Sequence, residues 1–306
     1  MSGLSRRNPT HSDPTSPWLD VRSESTVARR ILAGETEFPG VLARMASPVR
    51  ALWCRGRLPD PAQPALAIVG ARAATTAGCR RAAGLAAAAS RRGYAVVSGG
   101  ALGVDAAAHR GALEAGGATF AILGCGVDVV YPDRHAALFG AIAATGGLLS
   151  EYPPGTPPRG GNFPVRNRIV AALAGDVLVV EAKVASGALV TARLAVKLGR
   201  RLLAVPGSAG TDGLIASGQA RAIAGEAELG RALAGEAAEL PTVPARFTTL
   251  VATLEQGEGN AAELARRLAL PLPAALALLA EAELGGWVFR RPGGRYGISG
   301  EVAHAN

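Results

Sequence analysis

From residue 65 onward two hydrophobic patterns alternate along the chain. Short, almost wholly apolar runs recur: LAIVG (66–70), YAVVSG (94–99), TFAILG (119–124), GLLSE (147–151), DVLVVEA (176–182) and RLLAVPG (201–207). Each has the length and composition of a buried strand. Between most of them lie Ala-rich stretches of helical length, at 77–92, 104–115, 134–144, 166–174 and 187–198. Strands without a polar face, separated by helices, predict a doubly wound, mainly parallel Rossmann-like α/β sheet covered on both faces, spanning 65–240. Ligands on such sheets sit at the carboxyl ends of the strands.

The flanking regions read differently. Residues 1–19 are polar and Pro/Ser-rich with no apolar core segment, which predicts a disordered tail and not a signal peptide. Residues 20–64 hold short helical patterns and end in the Pro-rich LPDPAQP, so they predict a truncated helical N-terminal region and a linker. Within 241–306, RFTTLVATL, AAELARRLAL and PAALALLAEAEL predict three short amphipathic helices. GGWVFRRPGGRYGIS then predicts a hairpin turning at Pro292–Gly294, which makes this a winged-helix-like domain. No apolar run is long enough to span a membrane.

Composition narrows the functional class. A chain of 306 residues, 49% hydrophobic, suffices for two or three domains with a large core. Cys54, Cys79 and Cys125 are scattered, which predicts a reduced cytoplasmic setting and no disulfide framework. His11, His109, His135 and His304 lack metal-ligand spacing, so no metal site is expected. The net charge is +8, and 30 of the 32 basic residues are Arg. Either GC-rich codon usage or a polyanionic partner accounts for that. The excess is +3 in residues 1–65, +5 in 66–240 and zero in 241–306.

The candidate chemistry lies in the loops that follow the strands. After the first strand, Arg72 reads either as a solvated residue or as a phosphate contact, and Thr75 and Thr76 as helix caps. After the second, Ser98, Gly99 and Gly100 offer backbone N–H groups to an oxyanion. Asp105 and His109, four apart, form either acid–base machinery or a structural hydrogen bond. In GCGVDVVYPDRH (124–135) the glycines permit close ligand approach, while Asp128, Tyr131 and Asp133 shape the loop. Ser186, Gly187 and Thr191 frame a further helix start.

The loop YPPGTPPRGGNFPVRNR (152–168) carries Arg159, Asn162, Phe163, Arg166, Asn167 and Arg168. Pro164 predicts helix entry there, which puts two arginines in the first turn. The helix dipole disfavours a cation at that end by about 0.3–1 kcal/mol each, a cost that a bound phosphate would offset. Arginines interleaved with an aromatic suit a single nucleic-acid strand, with guanidinium on phosphate and ring on base. The alternative makes Phe163 a hydrophobic staple and pairs one arginine with Glu181 or Asp176. One of Arg166 and Arg168 is expected to be structural and the other to face an anion. GxxxxGK[ST], GxSxG, HExxH and a properly spaced GxGxxG are absent.

Taken in order, IVGAR (68–72), VVSGGALGVDAAAHRGAL (96–113), ILGCGVDVVYP (122–132), LLSEYPPG (148–155), FPVRNRIVAAL (163–173) and VLVVEAKVASGALVTARLA (177–195) resemble the DNA-processing protein A family (DprA/Smf). LLAVPG (202–207) and GLIASG (213–218) follow in the same order. The resemblance implies a cytoplasmic bacterial protein that binds single-stranded DNA, protects incoming strands in natural transformation and loads the RecA recombinase. It also implies a homodimer formed through the Rossmann-like domain, without catalysis, cofactor or metal. Arg72 matches the family's phosphate-contacting Arg, and Phe163, Arg166 and Arg168 match its basic pocket. With the loops above, the expected DNA-binding set is Arg72, Ser98, Gly99, Gly100, Arg159, Asn162, Phe163, Arg166, Asn167, Arg168, Ser186 and Gly187. Two positions depart from the family pattern: Leu102 and Gly160 stand where basic residues are usual. A second reading is a nucleotide-processing enzyme of the lysine-decarboxylase-like phosphoribohydrolase group. Its PGGxGTxxE loop finds only PGSAGTDGL (206–214), which lacks the glutamate and comes late in the sheet.

Overall fold

The computed structural model describes residues 27–236, 245–284, 288–290 and 293–298. The tail expected over 1–19, the linker residues 237–244 and Pro292 lie outside the described residues. The chain divides into two compact units. One holds the residues up to Ile68 together with Arg72–Gly175; the other holds Val69–Ala71 and the residues from Asp176 on.

The strands of the first unit are β1 (Arg29–Leu32), β2 (Ala51–Gly56), β3 (Ala65–Val69), β4 (Ala95–Ser98), β5 (Thr119–Leu123) and β6 (Gly147–Ser150). They run side by side in the order β1-β2-β6-β5-β4-β3. The strands β3 to β6 are parallel, with Leu66 opposite Val96, Val97 opposite Phe120 and Ala121 opposite Leu148. All four are buried along their length, as uninterrupted apolar runs require. The helices are α1 (Gly40–Ala43), α2 (Thr76–Arg91), α3 (Val104–Glu114), α4 (Ala136–Thr145) and α5 (Asn162–Ala172). Thr75 caps α2, its hydroxyl accepting the Gly78 N–H at 3.0 Å. The Ala-rich helices α2 and α3 pack together, with Ala82, Ala86, Ala89, Ala108 and Ala112 buried. Leu138, Phe139 and Ile142 of α4 join Leu123, Cys125 and Leu148 in the core. Each large side chain buried there stabilises the fold by roughly 1.5–3 kcal/mol.

Residues 20–64 correct the sequence reading. Among the described residues, 27–64, those helical patterns supply only α1; β1 and β2 are antiparallel strands added beside β6. The segment ALWCRG alternates, with Leu52 and Cys54 buried and Ala51, Trp53 and Arg55 half-buried. That period of two is too short to outweigh local helix propensity on paper. Pairing with β6, Trp53 opposite Ser150 and Cys54 opposite Leu149, selects the strand.

In the second unit β7 (Asp176–Val179), β8 (Arg201–Ala204) and β9 (Arg221–Ala222) are parallel, interleaved with α6 (Gly187–Lys197), α7 (Ala209–Ala216) and α8 (Glu226–Leu233). Asp176 is held by Arg201, whose Nε and Nη2 reach its two carboxylate oxygens at 2.5 and 2.9 Å. Residues 245–298 add α9 (Thr248–Glu255), β10 (Gly259–Asn260), α10 (Ala261–Arg267), α11 (Leu272–Leu284), β11 (Val288–Arg290) and β12 (Arg295–Ile298). The last three strands form an antiparallel sheet in the order β10-β12-β11. A capping box between Asn260 and Glu263 starts α10. Among the described residues no helix is long and apolar enough to cross a membrane.

Candidate nucleic-acid interface

The loops leaving β3, β4 and β5 border a cleft of about 140 Å³ within the first unit. An engineered cavity of about 150 Å³ admits benzene, so this cleft has room for one ring-sized group. Its lining includes Arg72, Gly99, Leu102, Tyr131, Phe163 and Arg166.

Helix α5 is the main support. It begins at Asn162, with Gly161 as N-cap, so Arg166 and Arg168 stand in its second turn and not in its first. The expected dipole penalty therefore does not arise, because the effect fades within one turn, and no bound anion is needed to offset it. The first turn holds Asn162, Phe163 and Pro164. The Asn162 Nδ2 donates to Gly124 O at 3.0 Å, tying the helix start to the end of β5. Pro164 lacks an N–H, which costs nothing in a first turn. The tertiary bond to Gly124 moves the start four residues ahead of Arg166.

Arg166 is 3% exposed and its Nη1 donates to Ile122 O at 2.5 Å. Its guanidinium lies on Gly99, where an added Cβ would stand 2.1 Å from Nη1. Burial lowers its pKa to about 10, opposed mainly by the nearby Asp105 carboxylate. Asp105 is buried too, and desolvation raises its pKa, held back by the charge of Arg166 and by the Ala101 N–H at 3.3 Å. The Arg166 Nε is buried without a partner.

Arg168 is drawn into the scaffold. Its Nη2 meets Glu151 Oε1 at 2.7 Å, and Nε and Nη1 donate to Ser47 O and Val165 O. The carboxylate it finds is thus neither Glu181 nor Asp176. Asn167, between the two arginines on α5, is half-buried. Ser98 is fully buried and its hydroxyl donates to Ile68 O at 2.6 Å, so this side chain serves the strands. The pair suggested by Asp105 and His109 is also corrected. His109 Nδ1 lies 2.7 Å from Thr119 Oγ1, which itself donates to Val96 O. The hydroxyl proton being spent, His109 donates from Nδ1. Its Nε2 is buried without a partner, and burial lowers its pKa to about 3. A ring that remains neutral there acts as a core hydrogen-bond donor.

Two rings and one charge meet at the mouth. The exposed Arg72 guanidinium stands 5.1 Å from the Phe163 ring centroid, over its face. The Tyr131 ring is 5.6 Å from Phe163 at 32°. Gly124 lets Phe163 lie close, since a Cβ there would come within 2.8 Å of Phe163 Cδ1. Gly100 adopts φ +67°, which turns the chain beside this group. Arg159 is exposed in the loop before α5, its carbonyl accepting the Asn162 N–H at 3.0 Å. Leu102 lines the cleft; Gly160 is exposed, with open space where a side chain would go. Ser186 and Gly187 sit at the start of α6 in the second unit, outside the cleft. Sequence reasoning brought Arg72, Gly99, Gly100, Phe163 and Arg166 together. It missed the electrostatic link from Asp105 to Arg166 and the place of Tyr131, whose loop position carries no sign of the ring it meets.

A model of the family described as DNA recombination-mediator protein A matches residues 29–234. This chain belongs to that family. Protein Smf of Escherichia coli K12 is 35% identical over 283 residues, covering 86% of this chain and 73% of that protein. A putative DNA processing protein DprA of Mycobacterium tuberculosis is 52% identical over 158 residues, 51% of this chain but only 41% of that relative's length. The fold superposes on the X-ray structure of DprA from Streptococcus pneumoniae with a TM-score of 0.64 and 33% identity, covering 70% of this chain and 76% of that one. DNA processing protein A from Helicobacter pylori, whose structure addresses its single-stranded DNA binding mode, gives 0.61 and 31%, covering 69% and 97%.

Proposed function

We propose that this member of the DNA-processing family binds single-stranded DNA in the cleft at the ends of β3, β4 and β5. The observation that carries the reading is the exposed Arg72 guanidinium over Phe163, 5.1 Å from the ring centroid, beside the Gly99–Gly100 turn. A cation, backbone N–H groups and aromatic rings at one mouth match the phosphates and bases of a single strand. Arg72, Arg159 and the backbone of Gly99 and Gly100 hold phosphates. Arg166 adds its charge from beneath, while Ser98, Asn162, Asn167 and Arg168 keep the loops and α5 in place. Ser186 and Gly187, at the start of α6 in the second unit, are a separate candidate contact for DNA and not part of this cleft. The similarity to the Helicobacter pylori protein supports the same ligand.

The finer role follows the family resemblance. The protein protects incoming strands and loads a RecA recombinase onto them, as a cytoplasmic homodimer joined through the Rossmann-like domain of 65–240, with no catalysis, cofactor or metal. The order α9-β10-α10-α11-β11-β12 supports a winged-helix domain over 241–306. With zero net charge it serves protein contact or regulation and not duplex binding. Nothing in the cleft favours nucleotide processing: the PGSAGTDGL loop is in the second unit, where the Asp212 carboxylate accepts the Gly207 N–H at 2.8 Å.

Titration with single-stranded and duplex oligonucleotides over a range of salt tests this. Contact with four phosphates predicts a log–log slope of about −3 for the single strand. Arg72→Ala lowers affinity equally for all base sequences, since phosphate contacts carry no base code. A salt-independent affinity, or equal affinity for duplex, overturns the reading.

A further inference from the structure

We propose that Tyr131 is the base-stacking platform of the cleft and that Phe163 is its support. The inference rests on the single-strand reading above. An interleaved aromatic among arginines points on paper to Phe163 as the ring that meets a base. The structure assigns the two rings differently. Phe163 is partly buried, with the Arg72 guanidinium over its face, Gly124 packed close against it and Tyr131 at 5.6 Å. A ring so surrounded holds its neighbours in place and is less exposed than Tyr131.

Tyr131 is 43% exposed, although it lines the same cleft. Its 32° tilt to Phe163 leaves a half-open stack whose outer member is the tyrosine. The cleft beside it has room for one ring, and Leu102, Leu123 and Pro132 give it apolar walls. Beside these apolar walls an exposed ring receives a base better than a phosphate, for which the donors are Arg72 and the Gly99–Gly100 backbone elsewhere in the lining. Arg72, exposed over the Phe163 ring, remains available for the phosphate. The cleft thus separates its tasks: Arg72 reads the backbone and Tyr131 the base, with Phe163 next to both. Stacking of this kind is sequence-tolerant, since every base has a face.

The test compares wild type, Tyr131→Ala, Tyr131→Phe and Phe163→Ala in the full chain. The probes are an oligothymidylate and the same strand with abasic sites. Tyr131→Ala lowers oligothymidylate affinity by about tenfold or more. Its salt slope stays unchanged because no phosphate contact is lost, and abasic-strand affinity equals that of wild type. Tyr131→Phe binds as wild type does. Phe163→Ala weakens both probes, because Arg72 loses its support. Since Tyr131 is 43% exposed and outside the buried core, Tyr131→Ala melts close to wild type. The proposal is overturned if Tyr131→Ala binds oligothymidylate as wild type does, or if it loses the abasic strand to the same degree. If wild type itself fails to bind oligothymidylate, the single-strand reading falls and this inference with it.

Discussion

Beneath the cleft, Asp105, His109 and Arg166 are all buried, and each is fixed by a particular backbone or hydroxyl partner. Residues 245–298 are organised in the opposite way. Their core is Phe247, Leu250, Val251, Leu254, Leu264, Leu279, Val288 and Tyr296 with small apolar neighbours. The ion pairs Arg246–Glu281 and Arg295–Glu263 stay at the surface. Apolar side chains ask only for matching volume, whereas a buried ionisable group asks for partners at set positions. The first unit thus accepts a cost in stability to hold a cleft in one geometry. The C-terminal segment has a core that packing alone explains.

Acid separates the two regions most. Burial holds His109 neutral, with a pKa near 3 against an ordinary 6.5, so the unfolded chain takes up a proton that the folded chain refuses. Stability is complete above about pH 6.5 and declines as pH falls toward 3, by at most about 5 kcal/mol. His135, also lowered by burial, works in the same direction. Asp105, raised by burial, works against it at the acid end. Urea midpoints at pH 7 and pH 4.5 are expected to fall for wild type and to fall less for His109→Gln. Amide protection over 245–284, taken relative to the intrinsic exchange rate at each pH, is expected to stay flat across that range. Loss of protection there before the first unit opens would break the contrast.

Phe247→Ala sharpens it from the other side. The ring is 1% exposed in the C-terminal core, and its truncation costs about 3–5 kcal/mol locally. Exchange over 248–284 should accelerate while oligothymidylate affinity stays within about twofold, and a larger loss of affinity would tie the segment to the cleft. Glu151→Gln gives the smallest effect. The side chains of Arg168 and Glu151 are 13% and 25% exposed, so breaking their pair costs about 1 kcal/mol in a thermal melt. A gain in single-strand affinity in that variant would show that the ion pair masks a cation the ligand can use.

The apolar runs from residue 65 made β3 to β8 and the helices between them legible to within a few residues, because short runs rich in Val, Ile and Leu and bounded by glycine differ in length and composition from the Ala-rich stretches between them. The glycine-led loops likewise marked where a ligand mouth would form. The N-terminal strands were not legible: β2 is a strand because β6 offers it an open edge. The start of α5 was misread by four residues because Asn162 finds Gly124 O, a bond between positions 38 apart in the chain.

The amino-acid order by itself determined the layer architecture, the family and the residues that gather at the strand ends, since these depend on local period and on loop composition. Only the tertiary structure decided which arginine is exposed over an aromatic ring, which is paired and which is buried. Charge partners such as Glu151 for Arg168, and Ile122 O with Asp105 for Arg166, come from elements distant in the chain, and burial is a property of the assembled fold.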